Sequence, residues 1–286
     1  MPIDFMSAEM LSEAELPTPT FSYASEEVGR LGRVVIRSIE KLSGQRRIKR
    51  LYLDYQKRQR PPERFWEDAV EGLRLDLRLN RKPEQAIPPT GPLVIIANHP
   101  FGVVDGIILC RIVSQVRSKY MIMTHRVLHQ APEVRRFILP IDFTGTREGL
   151  ATNVRSRAAG AKLLAEGGAL IVFPSGGVAM APTFHGPAID LEWKTFAAKL
   201  IMRARADVLP VFFHGQNSRL YLVAARLHQT LKLAMLFHEV SNKIGRSLSV
   251  SIGDVIANES LRALPDRQAI TRYLQVMTEA AQFARG

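Results

Sequence analysis

Residues 93–106 read LVIIANHPFGVVDG. The apolar run Leu93–Ile96 passes directly into a polar turn, and the residues after it take up helical spacing. A continuous apolar run closed by turn residues suits a strand buried on both faces, as in a parallel sheet. The pattern recurs along the chain. YMIM at 120–123, FILPID at 137–142, ALIVF at 169–173, VLPVFF at 208–213 and LSVSIG at 248–253 are further strand candidates. Helical patterns near 105–117, 126–136, 152–166, 192–205, 219–244 and 266–284 separate or follow them. Such alternation predicts an α/β fold with a mixed, largely parallel sheet flanked by helices.

The chain before this region is different. Residues 1–25, with Pro17 and Pro19 and little periodicity, read as a mobile acidic tail. Residues 26–88 read as a helical, membrane-associating region, and 89–286 as the α/β domain. Val28, Leu31, Val35, Ile39 and Leu42 recur at three and four residues, while Arg30, Arg33, Arg37 and Lys41 take other positions. Beyond Ser43-Gly44 the pattern resumes with Arg46, Arg47, Lys49 and Arg50, and Pro61-Pro62 close it. This N-terminal basic amphipathic helical arm either docks on the protein with a solvated basic side or lies on anionic lipid, apolar face down. A second helical stretch is expected at 64–80.

Of the net charge of +12, residues 30–60 supply +9 and residues 1–29 supply −6. A basic protein seeks polyanions, and no zinc-finger spacing or RNA-binding signature favours nucleic acid. One cysteine, Cys110, excludes an internal disulfide and fits buried core. The acidic start is the reverse of a secretory signal, and no apolar run is long enough to span a bilayer. The expectation is a peripheral protein on the cytoplasmic side of the inner membrane.

Four polar or glycine-rich segments follow strands: ANHPFGVVDG, DFTGTREG at 142–149, FPSGG at 173–177 and FFHGQNSRLY at 212–221. In open α/β sheets such carboxyl-end loops build the site. His99 and Asp105 have the chemistry of a general base and its orienting carboxylate, or of a polar turn. Other patterns carry less. Ser175 lacks the Gly-x-Ser-x-Gly elbow, because position 173 is Phe. His125 and His129 lack the glutamate of a zinc-protease helix, and no metal site is expected. The stretch 221–240, with Arg226 and Lys232 as its only Lys or Arg, is either a core helix or an apolar surface.

Taken in order, these blocks resemble the glycerolipid and lysophospholipid acyltransferases, nearest the branch of putative hemolysins and lyso-ornithine-lipid acyltransferases. Asn98-His99 with Asp105 matches the first block, Arg147 the second, Phe173-Pro174-Ser175-Gly176 the third, and Pro210 the fourth. The match runs from about 90 to 221. Two features depart from the family pattern. Five residues rather than four separate His99 from Asp105, and Ser175 stands where most of the family has glutamate. The first is similar to the branch named; the second puts glycerol-3-phosphate or lysophosphatidate in doubt as acceptor.

The resemblance implies transfer of an acyl group from acyl carrier protein or coenzyme A to a lysolipid hydroxyl, with no bound cofactor. His99 is the implied base and Asp105 its orienter. Asn98, Gly102, Arg147, Phe173, Pro174, Ser175, Gly176, Gly177, His214 and Asn217 are the implied substrate-binding set. Arg147 either grips a phosphate or pairs with Glu148 at the surface. Ser175, Gly176 and Gly177 offer an anion nest or a plain turn. A non-catalytic lipid-binding protein of the same fold is the alternative.

Overall fold

In the computed structural model the described residues are 44–125, 128 and 131–284, together with 34, 37 and 38. The chain runs through helix α1 (Gln45–Gln56), α2 (Phe65–Gly72), strand β1 (Asp76–Leu79), β2 (Leu93–Ala97), α3 (Val103–Ser114), β3 (Tyr120–His125) and β4 (Ile138–Ile141). It continues through α4 (Arg147–Ala165), β5 (Ala169–Val172), α5 (Phe196–Ala204), β6 (Asp207–Phe213), α6 (Arg219–Leu227), α7 (Gln229–Lys243), β7 (Ser247–Ile252) and α8 (Arg267–Ala280). The strands form one seven-stranded sheet in the order β1-β7-β6-β2-β5-β3-β4. Every pairing is parallel except β6 with β7.

β2 lies at the centre, and its five residues are all buried. Leu93, Ile95 and Ala97 join the core under α1, α2, α3, α6 and α7, whereas Val94 and Ile96 join the core under α4, α5 and α8. The period of two sends successive side chains to opposite faces, and helices cover both, so the strand must be apolar throughout. Pro210 lies inside β6, where a missing N–H would normally break a ladder. The antiparallel pairing with β7 begins only at Val211, and the Pro210 carbonyl instead accepts Gly253 N–H at 2.8 Å.

Three expectations need correction. The stretch 64–80 is not one helix: α2 stops at Gly72, Arg74 takes a left-handed φ of 50°, and residues 76–79 pair with β7 as an edge strand. A boundary at 88/89 therefore cuts the packed unit, since β1 belongs to the sheet and Tyr52, Trp66, Val70 and Ile87 to its core. The 219–244 stretch is two helices, broken where His228 extends to φ −163° and ψ 140°. Of the helical region expected at 126–136, residues 126, 127, 129 and 130 lie outside the described residues, and its end forms a 3-10 turn, Pro132–Phe137.

The tail at 1–25 lies outside the described residues, as do Arg30, Arg33 and Lys41. In α1, Ile48, Leu51, Tyr52 and Tyr55 turn into the protein core, while Arg46, Arg47, Lys49 and Arg50 are exposed. The apolar face of this segment is thus packed against the protein. Among the described residues no helix is long and apolar enough to cross a membrane.

Candidate active site

At the carboxyl end of β2 the side chain of Asn98 clasps β6. Its Nδ2 donates to the Phe213 carbonyl at 3.0 Å, and its Oδ1 accepts Phe213 N–H at 2.7 Å. Next comes His99, carried on a loop that must turn into α3 within a few residues. Gly102 makes that turn with φ 78° and ψ −120°, a combination L side chains avoid.

Asp105, on the first turn of α3, is fully buried. Its Oδ2 accepts the backbone N–H groups of Phe101 at 2.8 Å and Gly102 at 2.9 Å, which is half of a capping box. The same oxygen lies 2.9 Å from His99 Nδ1. An oxygen already taking two N–H donors is an acceptor, so Nδ1 carries the hydrogen and, in the neutral ring, Nε2 is the nitrogen with the lone pair. Nε2 has no protein partner among the described residues. Burial pushes the Asp105 carboxyl above its ordinary value, and the donors on Oδ2 pull against that.

Two further contacts fix the histidine. The Phe173 ring stacks on the imidazole with centroids 4.0 Å apart and planes at 22°. Asp190 accepts the His99 backbone N–H on Oδ1 at 2.9 Å and Trp193 Nε1–H on Oδ2 at 3.0 Å. Burial raises the Asp190 carboxyl, opposed by those two hydrogen bonds.

The imidazole opens onto a cavity of about 1760 Å³. Its walls are largely apolar: Trp66, Ile107, Ile122, Leu233 and Phe237 contribute, from helices α2, α3 and α7 and strand β3. Phe173, Pro174, Gly176 and Gly177 form one edge, with Gly176 N–H closing a turn on the Phe173 carbonyl at 3.0 Å. So the α7 stretch packs into the core and also lines the cavity.

Of the implied substrate-binding set, Gly102, Phe173, Pro174, Gly176 and Gly177 line the cavity. Asn98, Arg147, Ser175, His214 and Asn217 lie outside its lining. Asn98 is occupied by its clasp. Arg147, the first residue of α4, is exposed and forms no ion pair with Glu148. Ser175 is buried and donates to the Gly177 carbonyl at 3.0 Å. His214 Nε2 meets Ser251 Oγ at 2.8 Å, and burial lowers its pKa. Asn217 is buried, and neither of its amide atoms is hydrogen-bonded among the described residues.

Sequence reasoning missed Asp190 and left Lys232 unassigned. Asp190 belongs to no local motif; its partner is 91 residues away. Lys232 carried one signal, a cation in an apolar helix. No group of three or more metal-ligating side chains occurs among the described residues.

A half-buried histidine paired with a fully buried aspartate, at the carboxyl end of a central parallel strand and on the wall of a large, largely apolar cavity, is the site this α/β fold presents. The profile of the acyltransferase family matches residues 64–270, and the chain belongs to that family. A lyso-glycine lipid O-acyltransferase of Phocaeicola vulgatus is 27% identical over 191 residues, 64% of this chain and 65% of that protein. Another, of Bacteroides thetaiotaomicron, is 27% identical over 195 residues, 64% of this chain and 67% of that protein. The chain thus spans about two thirds of the length of these relatives. The fold is similar to that of the 1-acyl-sn-glycerophosphate acyltransferase PlsC of Thermotoga maritima, with a TM-score of 0.50 at 15% identity over 77% of each chain.

Proposed function

We propose that this protein is a peripheral membrane O-acyltransferase that moves a fatty acyl group from acyl carrier protein or coenzyme A to a lysolipid hydroxyl. The observation that carries the reading is the His99–Asp105 pair, with Nε2 unpartnered among the described residues and the histidine lining the apolar cavity. In the reaction the acceptor oxygen attacks the thioester carbonyl while Nε2 takes its proton. Asp105 holds the Nδ1 tautomer and steadies the imidazolium that forms. The carbon–sulfur bond then breaks, and the imidazolium returns the proton to the departing thiolate. The acceptor is its own nucleophile, so no acyl-enzyme is required.

The names of the two relatives favour a lysolipid with an amino-acid head group; lyso-ornithine lipid and lysophospholipid are the other acceptors to test. The net charge of +12 suits an acidic carrier, coenzyme A or an anionic membrane. Incubating purified protein with both thioesters and a panel of lysolipids, read by mass spectrometry, tests the reading. Acyl transfer is expected, with a loss of roughly a thousandfold or more in His99→Ala. A folded His99→Ala protein with undiminished turnover removes His99 as base. Lipid binding without transfer by the unaltered protein makes the chain a binding protein instead.

A further inference from the structure

Lys232 sits on α7 with only 7% of its surface exposed, and it lines the cavity. Its ammonium carries three donors. One goes to the Val178 carbonyl at 3.2 Å, and no carboxylate pairs with it among the described residues. The other charged residues lining the cavity differ from it. Asp68 is neutralised by Arg60 at 2.5 Å, Asp142 is an anion whose Oδ1 accepts Thr144 N–H at 2.8 Å, and Arg37, Arg157 and Lys194 are exposed to solvent. An unpaired ammonium inside an apolar wall is costly, and methionine would fill the same space without that cost.

The place of Lys232 relative to His99 is fixed by one peptide group. The carbonyl of Val178 takes the lysine, and the N–H of the next residue, Ala179, donates to the His99 carbonyl at 2.8 Å. The ammonium therefore lies within about 9 Å of the His99 carbonyl oxygen, given ordinary peptide dimensions. It also lies 3.9 Å from where a Cβ on Gly177 would stand, beside the glycine turn that edges the site. Burial holds the Lys232 pKa below the ordinary lysine value, and an anion arriving there would pull it back up.

From this geometry we infer that Lys232 is the counter-charge for an anionic head group, a carboxylate or phosphate monoester, on the acceptor lysolipid. The inference rests on the acyltransferase reading and deepens it: the head group anchors on Lys232 while the acceptor hydroxyl reaches His99. The two remaining ammonium donors supply the hydrogen bonds. A head group held here lies on the cavity side of the Val178–Ala179 peptide, so discrimination among lysolipids reduces to whether they carry a negative charge at that reach.

Equilibrium binding to the full chain tests this without requiring turnover. Two matched pairs of probes serve: β-hydroxypalmitoyl-glycine against its methyl ester, and palmitoyl lysophosphatidate against monopalmitoylglycerol. The protein is expected to bind at least one acid about ten- to a hundredfold more tightly than its neutral partner. The pair that shows the preference identifies the anion. Lys232→Met should erase the preference by weakening the acid alone, Lys232→Arg should keep most of it, and Tm should hold or rise in Lys232→Met. Equal binding of acid and neutral probe, a preference that survives Lys232→Met, or equal weakening of both probes overturns the inference. So does binding of free glycine or inorganic phosphate as tight as that of the lipids. A Lys232→Met deficit confined to palmitoyl-coenzyme A relative to palmitoyl-pantetheine also overturns it, by giving the lysine to the donor. Absence of acyl transfer by a protein that still prefers the acids refutes the proposed reaction and not the Lys232 site.

Discussion

Asp190 accepts the backbone N–H of His99 at 2.9 Å from 91 residues further along the chain. The same carboxylate holds Trp193 Nε1–H, so one side chain ties the loop before α5 to the loop after β2. Asparagine keeps the shape but offers one acceptor and one donor where two acceptors are needed. Asp190→Asn should therefore loosen the His99 loop and lower kcat by about tenfold or more, leaving the acceptor KM nearly unchanged. Steady-state kinetics with varied acceptor separates the two constants; a change confined to KM would mean that Asp190 serves binding instead.

Gly102 makes the turn that brings Asp105 beneath His99. Alanine there would adopt a strained φ of 78°, and its Cβ would meet Val178 Cγ2 at 3.2 Å and Leu236 Cδ2 at 3.3 Å. Gly102→Ala should cost about 1–3 kcal/mol in urea unfolding, from backbone strain plus crowding. Because the strain falls between the two members of the pair, turnover should drop as well. A variant as stable and as active as the unaltered protein would show that the loop has another conformation available.

Asn98 shows how a motif residue can be structural. Removing its amide leaves the Phe213 carbonyl and N–H without partners in a residue that is fully buried. Asn98→Ala should cost about 2–4 kcal/mol of stability, while the acceptor KM of the protein that remains folded stays where it was. A raised KM at unchanged stability would return Asn98 to the substrate.

The strands that the sequence makes legible are those with both faces covered, because LVIIA and ALIV admit no other burial pattern. β1 escapes notice for the opposite reason. Its four residues alternate between exposed and half-buried, and the preceding helical periodicity runs into them. Only the pairing with β7, more than 160 residues away, makes them a strand. In the site, the spacing of His99, Gly102 and Asp105 is local, and the expected contact between His99 and Asp105 is present. Asp190 and Lys232 act across the fold, through a backbone N–H and a backbone carbonyl, neither of which leaves a sequence signature.

The basic side of α1 gives a salt-dependent expectation. Arg46, Arg47, Lys49 and Arg50 are exposed while the apolar side of the helix is packed inward. Any membrane contact through this segment must then be electrostatic, contributing about 1 kcal/mol per basic residue near an anionic surface. Changing all four to Gln should weaken sedimentation with phosphatidylglycerol vesicles by at least about tenfold at low salt and little at high salt. Vesicle binding indifferent to both salt and these changes would place the membrane contact elsewhere on the chain.

Asp105→Asn separates the charge of the pair from its geometry. Oδ2 takes all three donors, whereas Oδ1 is buried with no partner among the described residues. An asparagine can keep its carbonyl oxygen toward the donors and turn its amide into the unpartnered position. Turnover should fall by a hundredfold or more, because the imidazolium loses its counter-charge. Stability should move the other way with pH. Burial raises the Asp105 carboxyl in the folded protein, so the folded state holds its proton to higher pH than the unfolded chain does. A raised carboxyl contributes stability at low pH that is lost as pH climbs from the ordinary carboxylate range through the raised value. Asparagine has no proton to lose. The Tm of Asp105→Asn relative to the unaltered protein should therefore increase with pH across that window and then level off. Thermal unfolding of both proteins over a pH series reads this directly. A difference that shrinks with rising pH would mean that the donors on Oδ2 outweigh burial and that the carboxylate is held low.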